Sequence, residues 1–483
     1  MTDLFTISYI IQGIVYQGEE SPFVEFKQNN ADPDEMGEYI SALSNMALLY
    51  GVPFGYLIWG VDDKTKSIVG TTLSFKTWKK GGQEILAYWK SLLTPTIALE
   101  NYELLIKNKK VLALRIPAAT HFQTTFKKQA YCRIESSKKN LKEFPSLEKQ
   151  LWQKLEETSP ERRIVETELQ TVDVKNYLDF PSYYNKLNLP TPQSEKEWIS
   201  SFLREGFINK KDGDVYAISA YGALLFGKNI TQFHGLENKG IRIIRYHSDS
   251  RLETMGKQEF NEGYAISFQK AYLQILNFLQ APDKFEDGLR RDQYFVPTIA
   301  IREALGNALI HQDLLSYGGP LVEIFPNRIE FSNPGELDVP INRLIDSSPN
   351  PRNEKLASFL RRINIGDTAG SGFDKIVSSL ENVHFPPAKV EQTPTGVRVV
   401  LFFNKPFEEF TAKEKLQATY EHVVLRYISS NRATNKSLRE RFGLEEKAKY
   451  QISRLFAQAV ENGLIKKEPN SDKKDASYIP YWA

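Results

Sequence analysis

Two groups of residues in this 483-residue chain have types and spacings that could do chemistry. Glu303, Asn307 and His311 in IREALGNALIH recur every four residues, so a helix would place them in one stripe. The surrounding Ala304, Leu305, Ala308 and Leu309 are apolar, so the stripe should line a pocket; the plainer alternative is a set of buried polar groups bonded to one another. The second group lies in ESPFVEFK. As a strand, this stretch points Val24 and Phe26 one way and Glu25 and Lys27 the other. Glu20, before Pro22, could fold back toward the charged face. Downstream, an apolar strand runs out into Asp62 and Asp63. Glu20, Glu25 and Asp63 are hard oxygen donors suited to Mg2+ or Mn2+. Lys27 beside them could serve a scissile phosphate, as metal-dependent phosphodiesterases require. Glu-x-Lys pairs on strands also commonly form plain ion pairs.

The elements that must position these groups read as a multidomain α/β (α+β) protein. Residues 1–150 alternate strands at Phe23–Lys27, Gly55–Val61, Val111–Ile116 and Ala130–Ile134 with a helix over Pro33–Leu49. Residues 151–235 predict a connecting helix and a helical subdomain. Residues 236–405 form a second α/β block with strands at Ile241–Tyr246, Leu321–Phe325, Arg328–Ser332 and Val397–Phe403. A linker then leads to 411–483, where three helices precede a strand pair.

Composition narrows the class. Apolar residues at 41% and charged residues at 25% describe an ordinary globular protein. The single cysteine, Cys132, excludes an internal disulfide framework and fits a reducing cytoplasm. No basic leader precedes an apolar core at the N-terminus. The longest apolar run, Ala47–Val61, is interrupted by Gly51, Pro53 and Gly55 and falls short of the roughly 20 residues a membrane helix needs. Net charge is +2, but residues 411–483 carry 14 Lys/Arg against 9 Asp/Glu, a net of +5 that leaves −3 for the rest. Basic excess confined to the C-terminus suits a nucleic-acid-binding module.

ESPFVEFK, then YISALSN, GYLIWGVDD and IVG, resembles the AlbA-like domain of the Schlafen family in motif order and spacing over about residues 15–140. In nuclease members the metal-binding acids fall at positions matching Glu20, Glu25 and Asp63, with a lysine matching Lys27. One departure is the turn Tyr50–Gly55, which replaces the family's Gly-Gly before the apolar strand and alters the mouth of the groove.

The Glu303–Asn307–His311 stripe resembles the N box of the GHKL ATPases. That resemblance implies that Glu303 activates water and that Asn307 holds Mg2+ in front of the γ-phosphate. Two further stretches follow in the family's order. IEFSNPGEL resembles the adenine-binding turn, with Asn333 where most members have aspartate, and Gly335 after it. AGSGF resembles the lid, where the backbone at Gly370 and Gly372 meets phosphates at a helix start. SPNPRN, with Arg352, occurs in a divergent GHKL group often fused to Schlafen-type domains. An Asn333 amide oxygen can still accept a bond from the adenine amino group. No residue stands out as a lysine over the γ-phosphate, so slow turnover or binding alone is expected.

The C-terminal order resembles a winged helix. Lys447, Lys449 and Arg454 on or beside its third helix would face a groove of DNA, with Lys473 and Lys474 on the wing against phosphates. The combined expectation is a cytoplasmic, homo-oligomeric, metal-dependent nuclease acting on RNA or single-stranded DNA and gated by ATP, with phage defence suggested by analogy. The alternative is an ATP-responsive DNA-binding regulator without nuclease activity; a scaffold acting through protein contacts is a third.

Overall fold

A computed structural model describes residues 4–62, 65–120, 122–135, 137–279, 284–286, 289–291, 295–337, 339–346, 351–366, 372–469, 471 and 476–483. The chain divides into two compact units, Met1–Ser159 and Pro160–Ala483.

The first unit is built on a four-stranded sheet. β1 (Val24–Lys27) lies parallel to β2 (Phe54–Trp59), and β3 (Glu100–Ile106) and β4 (Lys109–Pro117) complete the order β1–β2–β4–β3. Helices cover both faces, which explains why FGYLIW is apolar throughout rather than alternating. Leu57 and Trp59 pack with Met36, Ile40 and Leu43 of helix α2 (Pro33–Leu49). Tyr56 and Ile58 pack with Ile7, Ile11 and Val15 of helix α1 (Leu4–Gln17). Sequence reasoning missed α1, although its buried residues stand four apart.

Helix α2 runs as expected because Asp32 caps the amides of Asp34 and Glu35 and Pro33 opens the first turn. Its polar inner residues fasten a further strand, β5 (Gln129–Ile134): Ser41 Oγ accepts the Tyr131 amide, and Asn45 Nδ2 donates to the carbonyls of Thr124 and Tyr131. The helix expected to connect domains, α3 (Pro145–Thr158), belongs to the first unit, where Leu151 and Leu155 pack with Met46, Leu48 and Cys132.

The second unit opens differently from the helical subdomain expected. Strands β6 (Ile164–Leu169), β7 (Ile208–Lys210) and β8 (Tyr216–Ser219) form an antiparallel sheet in the order β6–β8–β7 among short helices. β8 is buried on both faces, so it shows no alternation, and β7 is only three residues long. Its residues share one apolar core with a six-stranded sheet: β9 (Ile241–Tyr246), β10 (Thr254–Phe260), β11 (Leu321–Ile324), β12 (Arg328–Asn333), β13 (Lys389–Thr393) and β14 (Gly396–Phe402), in the order β10–β9–β11–β12–β14–β13. Only β9 and β11 run parallel. Helices α4 (Thr298–Ile310), α5 (Glu354–Arg362) and α6 (Gly372–Asn382) contribute apolar residues to the same core.

The C-terminal segment consists of α7 (Ala412–Ile428), α8 (Asn435–Arg441), α9 (Lys449–Glu461) and the antiparallel ribbon β15 (Ile465–Lys467) with β16 (Tyr478–Pro480). Thr411 and Glu414 form a reciprocal cap at the start of α7. No helix among the described residues is long and apolar enough to cross a membrane.

Candidate functional site

The stripe on α4 is real in part. Glu303 and Asn307 project from the helix, Glu303 with only 7% of its surface exposed, whereas His311 follows the last turn and its amide donates to the Asn307 carbonyl. The first residue of α6 comes up against both side chains. A Cβ added to Gly372 would stand 3.2 Å from Asn307 Oδ1 and 3.6 Å from Glu303 Oε2. Any side chain there would fill the space in front of the amide and the carboxylate. The start of α6, with its amides and positive dipole end, therefore packs directly against Asn307 and Glu303, and a helix N-terminus beside an amide and a carboxylate is a combination suited to a phosphate and its Mg2+.

At the other end of α4, Gly335 follows β12 with φ +118°, a conformation that favours glycine. A Cβ there would lie 3.4 Å from both the Cβ and the amide nitrogen of Asp313 and 3.6 Å from Arg352 Cζ. Arg352 donates to the Glu336 carbonyl at 2.9 Å, and Asn353 Nδ2 donates to the carbonyls of Ile310 and Gln312. The turn, the end of α4 and the segment before α5 thus meet at Gly335. Burial, with the Arg352 charge, pushes His311 down to about 4, so its imidazole is neutral at physiological pH. Asn333 donates its side-chain amide to the Pro334 carbonyl. Gly370 lies outside the described residues.

Sequence reasoning missed two supports of this region. Lys239, 2% exposed, donates to three carbonyls of the loop after α4, those of Asp313, Ser316 and Gly318, at 2.7–2.9 Å. Burial pushes its ammonium down to about 8. Glu161 accepts the amides of Lys355 and Leu356 and so caps α5, and burial pushes its carboxyl up to about 7. Neither is legible in sequence, because backbone acceptors and donors carry no residue signature.

In the first unit, the structure brings Glu20, Glu25 and Lys27 together but surrounds the acids with cations. Glu25 pairs with Lys27 Nζ at 2.6 Å and with Arg133 Nη2 at 2.6 Å. Glu20 pairs with Lys66 at 2.8 Å and with the same Arg133 nitrogen at 3.1 Å, and accepts the Phe26 amide. Arg133 also donates to the carbonyls of Ser21 and Val24. Burial pushes Glu25 upward more than Arg133 and Lys27 pull it down. For Glu20 burial acts upward too, but Lys66 and Arg133 prevail and hold it below the usual carboxylate range. Lys27 would be lowered by burial, yet Glu25 and Tyr39 hold it up to about 12.

These acids do not fit a hard metal ion as they stand, because a cation would have to displace guanidinium and ammonium groups already paired with their oxygens at 2.6–3.1 Å. Asp63 lies outside the described residues, and among the described residues no group of three His, Cys, Asp or Glu side chains could hold a metal. An open groove of about 490 Å³ runs beside Glu20 and Arg133, lined also by Tyr50 and Glu135. Tyr50 comes from the altered turn.

On the C-terminal helices, Lys447, Lys449 and Arg454 are all exposed, as is Tyr450 at 83%. Lys447 pairs with Glu445 at 2.9 Å. Asn435 Nδ2, at the start of α8, donates to the Lys449 carbonyl and to Ser453 Oγ, which fixes α9 against α8. Lys473 and Lys474 lie outside the described residues.

Comparison with known proteins agrees with this architecture. Residues 20–142 match the family described as Schlafen, AlbA_2, and residues 318–401 match the one described as "Putative ATP-dependent DNA helicase recG C-terminal", an ATPase-type domain. The chain thus carries a Schlafen AlbA-like domain followed by a RecG-type ATPase-like domain, a nucleic-acid- and ATP-related pairing. No curated protein matches it. Among solved structures, the DIP2311 protein of Corynebacterium diphtheriae aligns over 97% of this chain and 96% of its own at 15% identity and a TM-score of 0.44. The N-terminal domain of a RecG-related protein from Nitrosomonas europaea aligns over 26% of this chain and 88% of its own, at 22% identity and a TM-score of 0.20. TM-scores below 0.5 are too low for either likeness to bear on the site.

Proposed function

We propose that this protein is an ATP-responsive nucleic-acid-binding regulator: ATP binds between α4 and the start of α6, and nucleic acid binds the exposed basic face of α9 in a winged-helix arrangement. The observation that carries the ATP reading is the approach of Gly372 to Asn307 and Glu303. Asn307 would hold Mg2+, which when bound neutralises phosphate charge. Glu303 is placed to orient a water and accept its proton, and Gly335, Arg352 and Asn333 form the turn against which the base would lie. Cytoplasmic location and assembly as a homo-oligomer belong to the same reading.

The competing reading is a Mg2+- or Mn2+-dependent nuclease centred on Glu20, Glu25 and Asp63, with a role in phage defence. The pairing of both described acids with Arg133, Lys27 and Lys66 favours the regulator instead. Incubating the full chain with labelled RNA, single-stranded DNA and duplex DNA in Mn2+ separates the two. The expected result is tight duplex binding without cutting of any substrate; Mn2+-dependent cutting lost in Glu25→Gln would establish the nuclease.

Binding through α9 should be electrostatic in large part. Lys449→Ala and Arg454→Ala are each expected to weaken duplex binding across sequences and to lower the slope of log affinity against log salt by about 1. A slope unchanged in the double variant would move the nucleic-acid site away from α9.

A further inference from the structure

Helix α6 carries two stripes that face different partners. Ile376 and Leu380 are buried in the core of the six-stranded sheet. Val377 is buried in the core formed by the C-terminal helices, and Phe373 packs against both cores. Phe373, Val377 and Glu381 stand four apart, so the side of α6 that meets the C-terminal helices ends in a carboxylate.

That carboxylate is the centre of a buried clasp. Glu381 Oε1 lies 2.8 Å from His422 Nδ1 of α7, and Glu381 Oε2 lies 3.7 Å from Arg441 Nε of α8. The other ring nitrogen of His422 meets Ser437 Oγ of α8 at 2.8 Å. Arg441 donates to the Phe385 carbonyl just beyond α6, and its own carbonyl meets His384 Nδ1 at 3.1 Å. Serine, histidine and glutamate in this order have the connectivity of a hydrolytic triad. The fully buried ring and the engagement of Ser437 Oγ in the capping box of α8, where it accepts the amide of the N-cap Thr434, leave it a structural role. From α8 the connection continues through Asn435 to α9.

One helix therefore begins against Asn307 and Glu303 and ends locked to α7 and α8, and α8 is tied through Asn435 to α9, the helix that presents Lys449 and Arg454. We propose that α6 couples the two sites, so that a nucleotide triphosphate at its start and nucleic acid on α9 alter each other's affinity. The proposal rests on the ATP and nucleic-acid reading above. It requires only that α6 take two positions, since any displacement of its first turn by a γ-phosphate is carried into α7 and α8 by Val377 and Glu381. Coupling of this kind is reciprocal.

The test uses the full chain, a mixed-sequence DNA duplex, and either no nucleotide, ADP or a non-hydrolysable ATP analogue with Mg2+. Duplex affinity by anisotropy is expected to change by about 5- to 150-fold between nucleotide-free and triphosphate states, and analogue affinity by calorimetry by the same factor when duplex is added. Glu381→Gln and Val377→Ala should bring that factor close to one while leaving each ligand's affinity alone unchanged. If the wild type binds both ligands with independent affinities, the coupling is refuted and the functional reading stands. If the factor persists in both variants, α6 is not the link. If the wild type binds neither ligand, the functional reading fails and the coupling with it. The wild-type measurement needs no variant and decides whether the two sites are coupled even where one substitution disturbs folding, and the other variant then decides whether α6 carries the coupling.

Discussion

Asn307→Ala is expected to reduce Mg2+-dependent ATP affinity by roughly ten- to a hundredfold, the cost of about 1.5–3 kcal/mol for a polar contact to a charged group. The Asn307 amide faces the first turn of α6 beside the Glu303 carboxylate, where its neutral oxygen is placed to take a cation. Glu303→Ala is expected to leave affinity nearly unchanged and to remove whatever hydrolysis the wild type shows, because a group that orients water acts in the transition state rather than in binding. Calorimetric titration with ATP and Mg2+, followed by phosphate release, separates the two outcomes. Equal loss of affinity in both variants would mean that Glu303 and Asn307 form one buried polar unit whose disruption deforms α4. Gly372→Ala supplies an independent check: its methyl would enter the space against Asn307 Oδ1 and should weaken the nucleotide while sparing the fold.

Much of this site was legible because its parts obey local rules. The four-residue recurrence of Glu303 and Asn307 specifies one helix face, and a glycine directly after Asn333 and Pro334 marks a turn needing positive φ. The bounds of α2 were equally open to reading, since an aspartate cap and a proline at its first position are chemical signals carried by single residues. Other features depend on pairings that sequence does not encode. Arg133 reaches Glu20 across 113 residues, and in sequence it is one arginine in a strand with nothing to mark it as the counter-ion of ESPFVEFK. The short strands β7 and β8 give no period long enough to detect. The loop after α4 looks unconstrained until the three carbonyls around Lys239 are seen. The acids of the first unit show the same limit from the other side: Glu20 and Glu25 meet around Arg133, with Lys27 against Glu25, but the chemistry of a carboxylate is decided by what faces it.

Glu25→Ala is expected to destabilise the first unit by about 3–5 kcal/mol, because it would leave the Arg133 guanidinium, 1% exposed, without its closest counter-charge. For a unit of this size, that corresponds to a fall in melting temperature of roughly 6–20 °C. A metal-binding cluster predicts the reverse: removing one of several mutually repelling carboxylates relieves strain in the metal-free protein. Calorimetric melting of the full chain without divalent ions reads the sign, and hydrogen exchange at β1 and β2 assigns the change to the first unit. Lys27→Met serves as the comparison. Its ammonium is more exposed, at 12%, and its loss leaves Glu25 still paired with Arg133, so a smaller fall is expected. Replacing Glu25 and Arg133 together by leucine should recover much of the loss, since a buried ion pair can often be exchanged for apolar groups of similar volume but not halved. Stabilisation by Glu25→Ala alone would instead reopen the groove beside Glu20 as a metal centre completed by Asp63.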